Sequence, residues 1–144
     1  MPADASDDET PRPDSVDLIE AQWRRERPDV DVWPMAVIGR ISRIERAVRP
    51  LLERVFARHG LEAWEFDVLA TLRRAGAPYR LSPGDLLQAT MVTSGTMTNR
   101  IARLEADALV LRQINPEDSR SFLIELSPKG KDLIDQVLEA HVAT

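Results

Sequence analysis

The stretch Leu81-Ser82-Pro83-Gly84-Asp85-Leu86-Leu87, taken with Ser94-Gly95-Thr96-Met97-Thr98-Asn99-Arg100-Ile101-Ala102-Arg103-Leu104, decides the fold. Ser82 ahead of Pro83 marks a helix start. A hydroxyl there accepts from a free N–H, and proline at the first helical position has no N–H to leave unsatisfied. This helix is expected to end near Ala89. A tight connection through Met91 and Val92 then leads into a second helix from Thr93 or Ser94. In that helix Met97, Ile101 and Leu104 recur at i, i+4 and i+7, a buried stripe. The outer arc keeps Gly95, Thr96, Thr98, Asn99, Ala102 and Arg103. Two short helices joined by a tight turn, the second with a polar outer face, make a helix-turn-helix pattern.

Working outward, Leu109 to Ile114 reads as a strand and Asn115 to Arg120 as a polar turn. Phe122, Ile124 and Leu126 then alternate on a return strand. A hairpin directly after the second helix stands where a wing would. Ser127-Pro128 starts a last helix carrying Leu133, Ile134, Val137 and Leu138. Upstream, Leu61 to Ala75 is a helix closed by Gly76 and Pro78. Trp33 to His59 is a long helix with Val37, Ile41, Ile44, Val48, Leu51, Leu52, Val55 and Phe56 at three- and four-residue spacing, and Pro50 predicts a kink or break in it. Val16 to Arg27 is a short amphipathic helix with Val16, Ile19 and Trp23 on one face and Asp14 or Ser15 as cap. The expected fold is mainly α with a small β-hairpin: a winged helix-turn-helix flanked by N- and C-terminal dimerisation helices. Residues 1–15 read as a disordered acidic tail and 16–144 as a single domain. The latter divides into N-terminal and long interface helices (16–59), the winged helix-turn-helix (61–126) and a C-terminal helix (127–144).

The chain has 144 residues, 43% of them hydrophobic, enough for one domain with a core. No apolar run approaches the roughly 18–20 residues of a membrane span, and the acidic start is the opposite of a signal peptide. The cytoplasm is the expected location. There are no cysteines, which removes disulfides and thiolate metal sites. Net charge is −5, an awkward value for a partner of phosphate. Residues 1–32 carry ten acidic and four basic side chains, however, and the other 112 residues carry fourteen and fifteen. The acidity sits at the N-terminus, so a DNA-binding surface would be a local basic patch. His59 and His141 have no ligand-spaced partner, so no metal site is expected. No Ser-His-Asp set, Gly-rich phosphate loop or carboxylate pair stands out, and no cofactor or enzymatic activity is expected.

From Leu81 to Leu126 the order and spacing resemble the MarR family of winged-helix regulators. The matching residues are Leu81-Ser82-Pro83, Ser94 to Ile101, Arg103-Leu104-Glu105, Leu109-Val110 and the wing motif Asp118-Ser119-Arg120, with Leu126-Ser127 and Gly130 after it. With its flanking helices the resemblance covers about residues 35–142. It departs from the family in three places: Asp107-Ala108 stand where a Gly is usual, Ser119 replaces a common Arg, and the chain stops at Thr144, where many members add a helix. A narrower resemblance, to the urate-responsive branch, rests on Trp23, Pro28-Asp29-Val30-Asp31, Gly39-Arg40 and Glu65 to Leu72. It implies a homodimeric repressor of double-stranded DNA released by urate or a similar small anion. It also implies a ligand pocket of Trp23, Asp67, Arg100 and Arg112.

The chemistry of these positions agrees with such roles and leaves plainer ones open. Ser94, Gly95, Thr96, Thr98, Asn99 and Arg103 suit base edges and phosphates in a major groove, or form a solvated helix face. Arg120 at the hairpin tip suits the narrow minor groove, with Asp118 orienting it by a charge-assisted bond; the pair is otherwise a surface turn. Arg100 borders the buried stripe and needs an anionic partner. Asp67 on the preceding helix offers one, either as a plain salt bridge or as a switch that a ligand anion disturbs. Arg112 supplies a second positive group or ends a solvated strand. Trp23 stacks on a flat ligand or anchors its helix; Trp33 and Trp64 belong to the core or an interface. The rival readings are a regulator with a phenolic or carboxylate effector and a winged-helix protein-interaction module that does not bind DNA.

Overall fold

The computed structural model describes residues 12–90 and 94–144, with the side chains of Ser94 and Gly95 set aside. The acidic tail up to Pro11 and the connection at residues 91–93 lie outside the described residues. Among the described residues, six helices and three strands follow in order: α1 (Ser15–Glu26), α2 (Trp33–Arg58), α3 (Ala63–Arg74), β1 (Arg80–Leu81), α4 (Pro83–Ala89), α5 (Ser94–Ala106), β2 (Val110–Asn115), β3 (Asp118–Leu126) and α6 (Pro128–Val142). The chain forms two compact units, one through Val48 and one from Arg49 to Thr144. Helix α2 continues through Pro50 without a break.

In the first unit, Asp14, one of the two expected caps, caps α1, and Ser15 is its first residue. Its carboxylate accepts from the N–H groups of Val16 and Asp17, and the Asp17 carboxylate accepts from the N–H of Asp14 at 2.7 Å. These bonds satisfy donors that a helix start leaves open. Arg40 on α2 reaches back to Asp14 at 3.2 Å and to Asp17 at 2.5 Å, tying the two helices together. Val16, Val32 and Ala36 are buried, whereas Trp33, Met35, Ile38, Ile41 and Ile44 are all more than half exposed.

The second unit holds the core. Val68, Leu69 and Leu72 of α3, Leu86 of α4, Met97, Ile101 and Leu104 of α5, Ile124 of β3 and Ile134 and Val137 of α6 are all buried. The expected stripe on α5 is therefore the face that packs. Truncating one such leucine costs about 2–5 kcal/mol. Ser82 caps α4 by accepting from the N–H of Asp85, and Ser127 caps α6 by accepting from that of Gly130. The hairpin is not alone. A third strand, β1, pairs with β3, giving the antiparallel order β1-β3-β2, with Leu81 opposite Ile124 and Arg112 opposite Ile124 on the other side. Leu81 is thus a sheet residue just ahead of the α4 cap. The turn is shorter than the polar composition predicts. Asp118, Ser119 and Arg120 already belong to β3, because Asn115 closes the reversal locally, its side chain accepting from Glu117 N–H and donating to the Ser121 hydroxyl.

Candidate DNA-facing surface and effector residues

Helix α5 presents Thr96, Thr98, Asn99 and Arg103 outward, since Met97, Ile101 and Leu104 take the buried side. Ser94 and Gly95 open the same helix, their side chains outside the described residues. Arg103 is already engaged. Its guanidinium donates to Glu62 at 2.7 Å, lies 3.8 Å from Glu65 and stacks 4.7 Å from the centre of the Trp64 ring. The Arg103 bond, helped by one from the Trp64 indole, holds the Glu62 carboxyl below its usual range. Trp64 thus serves as a shelf for arginines, with its ring only partly buried against the core.

The wing carries Arg120 exposed on β3. Asp118 does not grip its guanidinium. The Asp118 carboxylate instead accepts from the backbone N–H of Arg120 at 3.0 Å, a bond that shapes the strand start and leaves the side chain to extend.

The four residues expected at an effector pocket fall in both units. Trp23, in the first, lines a cavity of about 320 Å³ with Val16, Ile19, Ala36, Arg43 and Arg46. Asp67, Arg100 and Arg112 are in the second. Asp67 and Arg100 feel each other's charge without a salt bridge between them. Burial pushes the Asp67 carboxyl above its usual value, and the charges of Arg74 and Arg100 only partly oppose this. Arg100 stacks 5.2 Å from the Trp64 ring centre, and among the described residues no carboxylate lies within ion-pair distance of it. Arg112 is not a solvated strand end. It binds Glu105 with two bonds, 3.2 and 2.7 Å, and covers the Phe122 ring at 4.2 Å. This fastens the first wing strand to the last turn of α5.

Sequence reasoning passed over Glu62, Trp64 and Glu105 as partners of these arginines. The available signal was charge: Glu62 and Glu65 open α3, and Glu105 follows Arg103-Leu104. A second feature it passed over is the joint after α5. The carbonyls of Asp107, Ala108 and Leu109 accept from Lys129 Nζ, the Ser127 hydroxyl and the Ser127 N–H, at 2.8, 2.7 and 3.1 Å. The start of α6 therefore satisfies the end of α5.

A buried-stripe helix with a polar outer face, preceded by a short capped helix and followed by a hairpin that β1 extends to three strands, defines a winged helix-turn-helix DNA-binding protein. Comparison with known proteins makes the class narrower. A model described as the MarR family matches residues 59–121. The chain is 46% identical over 127 residues to the HTH-type transcriptional regulator PecS of Dickeya dadantii, covering 88% of this chain and 76% of that one. It is 31% identical over 113 residues to the HTH-type transcriptional repressor YetL of Bacillus subtilis, covering 78% and 67%. A crystal structure of a mutant MarR from E. coli complexed with operator DNA superimposes with a TM-score of 0.63 at 26% identity, covering 76% and 78%. The chain belongs to the MarR family. It is a ligand-responsive, DNA-binding transcription regulator and not an enzyme. Among the described residues no helix is long and apolar enough to cross a membrane.

Proposed function

We propose that this regulator is a cytoplasmic homodimeric repressor that leaves a pseudo-palindromic operator when urate or a related small anion binds. The observation that carries the reading is the relation of Asp67 to Arg100. A half-buried carboxylate on α3 senses a guanidinium on the recognition helix but does not neutralise it by contact. An anion arriving at Arg100 gains a charge-assisted bond and repels Asp67, which biases α5 between two positions. Arg112 offers a second guanidinium, and its bond to Glu105 carries any shift into the wing. Trp23 offers a flat face for a ring. Ser94, Gly95, Thr96, Thr98, Asn99 and Arg103 meet the major groove, and Asp118 and Arg120 the minor groove. The exposed apolar residues of α2, Ile38, Ile41 and Ile44, face a second copy, with α1 and α6 contributing. A twofold dimer sets two recognition helices one DNA turn apart.

The test is fluorescence anisotropy of a labelled duplex from the gene's own upstream region, titrated with protein and then with urate. Tight, salt-sensitive binding that urate releases supports the reading. Release that persists unchanged in Asp67→Asn removes the switch from Asp67. Binding indifferent to urate but released by a phenolic or carboxylic acid favours the second effector class, which the apolar walls around Trp23 also suit. In that case Trp23 and Arg112 substitutions leave no urate response to lose.

A further inference from the structure

Arg103 shares one face of α5 with Thr96 and Asn99, by spacings of seven and four. It is nonetheless closed into a triad with two residues of the α3 start. Glu62 Oε1 accepts from Arg103 Nη2 at 2.7 Å, and Glu62 Oε2 accepts from the Trp64 indole N–H at 2.9 Å. The guanidinium lies over the same indole. Both carboxylate oxygens are thus used, and the anion is braced against the ring that Arg103 covers. Glu65, buried behind them, adds a second negative charge at 3.8 Å. The Glu62 and Arg103 side chains are themselves 59% and 55% exposed, so exchanging one partner for another needs no rearrangement of the core.

A carboxylate that offers oxygens to a guanidinium resembles, in charge and geometry, a DNA phosphate. We propose that Glu62 is an intramolecular stand-in for a phosphate: it occupies Arg103 in the free protein, is displaced when the recognition helix docks, and so sets operator affinity and its salt dependence. The proposal rests on the reading that Arg103 faces DNA. Wild-type binding exchanges one ion pair for another at this position. Breaking the Glu62–Arg103 pair becomes easier as salt screens it, so this exchange offsets part of the salt dependence that Arg103 brings at the phosphate.

Glu62→Gln keeps the shape and an acceptor for the Trp64 N–H but removes the charge. Operator affinity measured by anisotropy at low salt is expected to rise about two- to fivefold per recognition helix, the worth of an exposed ion pair. The log–log salt slope is expected to steepen, by at most about 0.9 per recognition helix. Asp29→Asn removes an equal charge from another exposed ion pair, with Arg27, and serves as the control for net charge. Trp64→Phe removes the brace but keeps a ring, and moves affinity the same way by less. The gain disappears when Glu62→Gln is combined with Arg103→Ala. A Glu62→Gln variant that binds like the Asp29→Asn control, or more weakly than wild type, overturns the proposal. If Arg103→Ala weakens binding while Glu62→Gln is neutral, Arg103 remains at the DNA and only the competition fails. If Arg103→Ala leaves affinity unchanged, the placement of Arg103 fails and the proposal falls with it.

Discussion

Replacing Gly130 by alanine tests how tightly the start of α6 is pressed against the chain leaving the recognition helix. A Cβ built on Gly130 stands 2.0 Å from the Leu109 carbonyl oxygen and 2.9 Å from its carbon. Neither neighbour is a flexible side-chain end; both backbones must move by about an ångström. That movement strains the Ser127 bonds to the carbonyls of Ala108 and Leu109. Overpacking of this kind costs about 1–3 kcal/mol, here at the upper end because backbone meets backbone. The better helix propensity of alanine returns up to about 1 kcal/mol. The net loss is about 2 kcal/mol, or about 4–8 °C in Tm for a chain of this length. Thermal unfolding followed by circular dichroism at fixed protein concentration measures it. Ala108→Gly, one residue before Leu109, has the opposite sign. Ala108 sits at φ 57°, a left-handed conformation costing a side chain about 1–2 kcal/mol. Glycine relieves this and gives back about 0.5–1 kcal/mol in unfolded-chain entropy, leaving a gain of about 0.5–1 kcal/mol. A Gly130→Ala protein melting within about a degree of wild type would refute the close-approach argument.

Three further outcomes follow from the same structure. Ile41→Asp with Ile44→Asp puts two charges on the exposed apolar face of α2 and is expected to give monomers in sedimentation velocity; an undiminished dimer at micromolar concentration places the interface elsewhere. Asp67→Asn changes the pH dependence of stability. Burial raises the native carboxyl above 3.8, so the folded protein binds more protons than the unfolded chain just above that pH, and wild-type stability falls as pH rises through that window. The variant lacks this loss, so its Tm relative to wild type is expected to be higher at neutral pH than in acid, and a pH-independent difference contradicts the burial argument. Arg120→Ala is expected to weaken operator binding and to reduce the log–log salt slope by about 0.9 per wing; an unchanged slope takes Arg120 off the phosphates.

The parts of this fold that follow from local rules were legible in the sequence. Ser82-Pro83 and Ser127-Pro128 start helices where they should, and the Met97, Ile101, Leu104 spacing names the packed face of α5. The wing was legible as a hairpin, but β1 was not. Two residues carry too little alternation to read as a strand, and Arg80-Leu81 acquires that state only by pairing with Glu125 and Ile124. Pro50 was expected to kink or break a long helix from Trp33, and α2 carries it in its interior without a break. At the site, composition could propose which arginines matter but not what each one touches. Asp118 lies two residues from Arg120 and was expected on its guanidinium, whereas it bonds the backbone N–H. Glu62 and Arg103 are 41 positions apart, a pairing that only the packing of α3 against the recognition helix creates. The departure at Asp107-Ala108 falls on a left-handed residue: Ala108 has φ 57°, where glycine carries no side-chain cost.

The pairing of the arginines also answers the objection raised by composition. A chain of net charge −5 is a poor partner for DNA if charge is merely summed. In the second unit, however, Arg73, Arg80, Arg103 and Arg112 are each held by a carboxylate on another element. These acids do not cancel the basic side chains so much as fix their positions, at the cost of occupying them. Arg73–Asp135 joins α3 to α6, and Arg80–Glu125 lies along the sheet. Among the described residues, only Arg103 and Arg112 pair on the recognition helix itself or on the wing strand that follows it. Arg112 is pinned twice, by a bidentate carboxylate and by the Phe122 ring, and is built to stay. Arg103 has an exposed partner and a flat shelf to slide on. Under the proposed exchange at Arg103, the free protein would not hold nonspecific DNA on charge alone. Sequence discrimination would then fall to Thr96, Thr98, Asn99 and the wing, and a wild-type salt slope smaller than the count of basic residues at the surface is the expected signature.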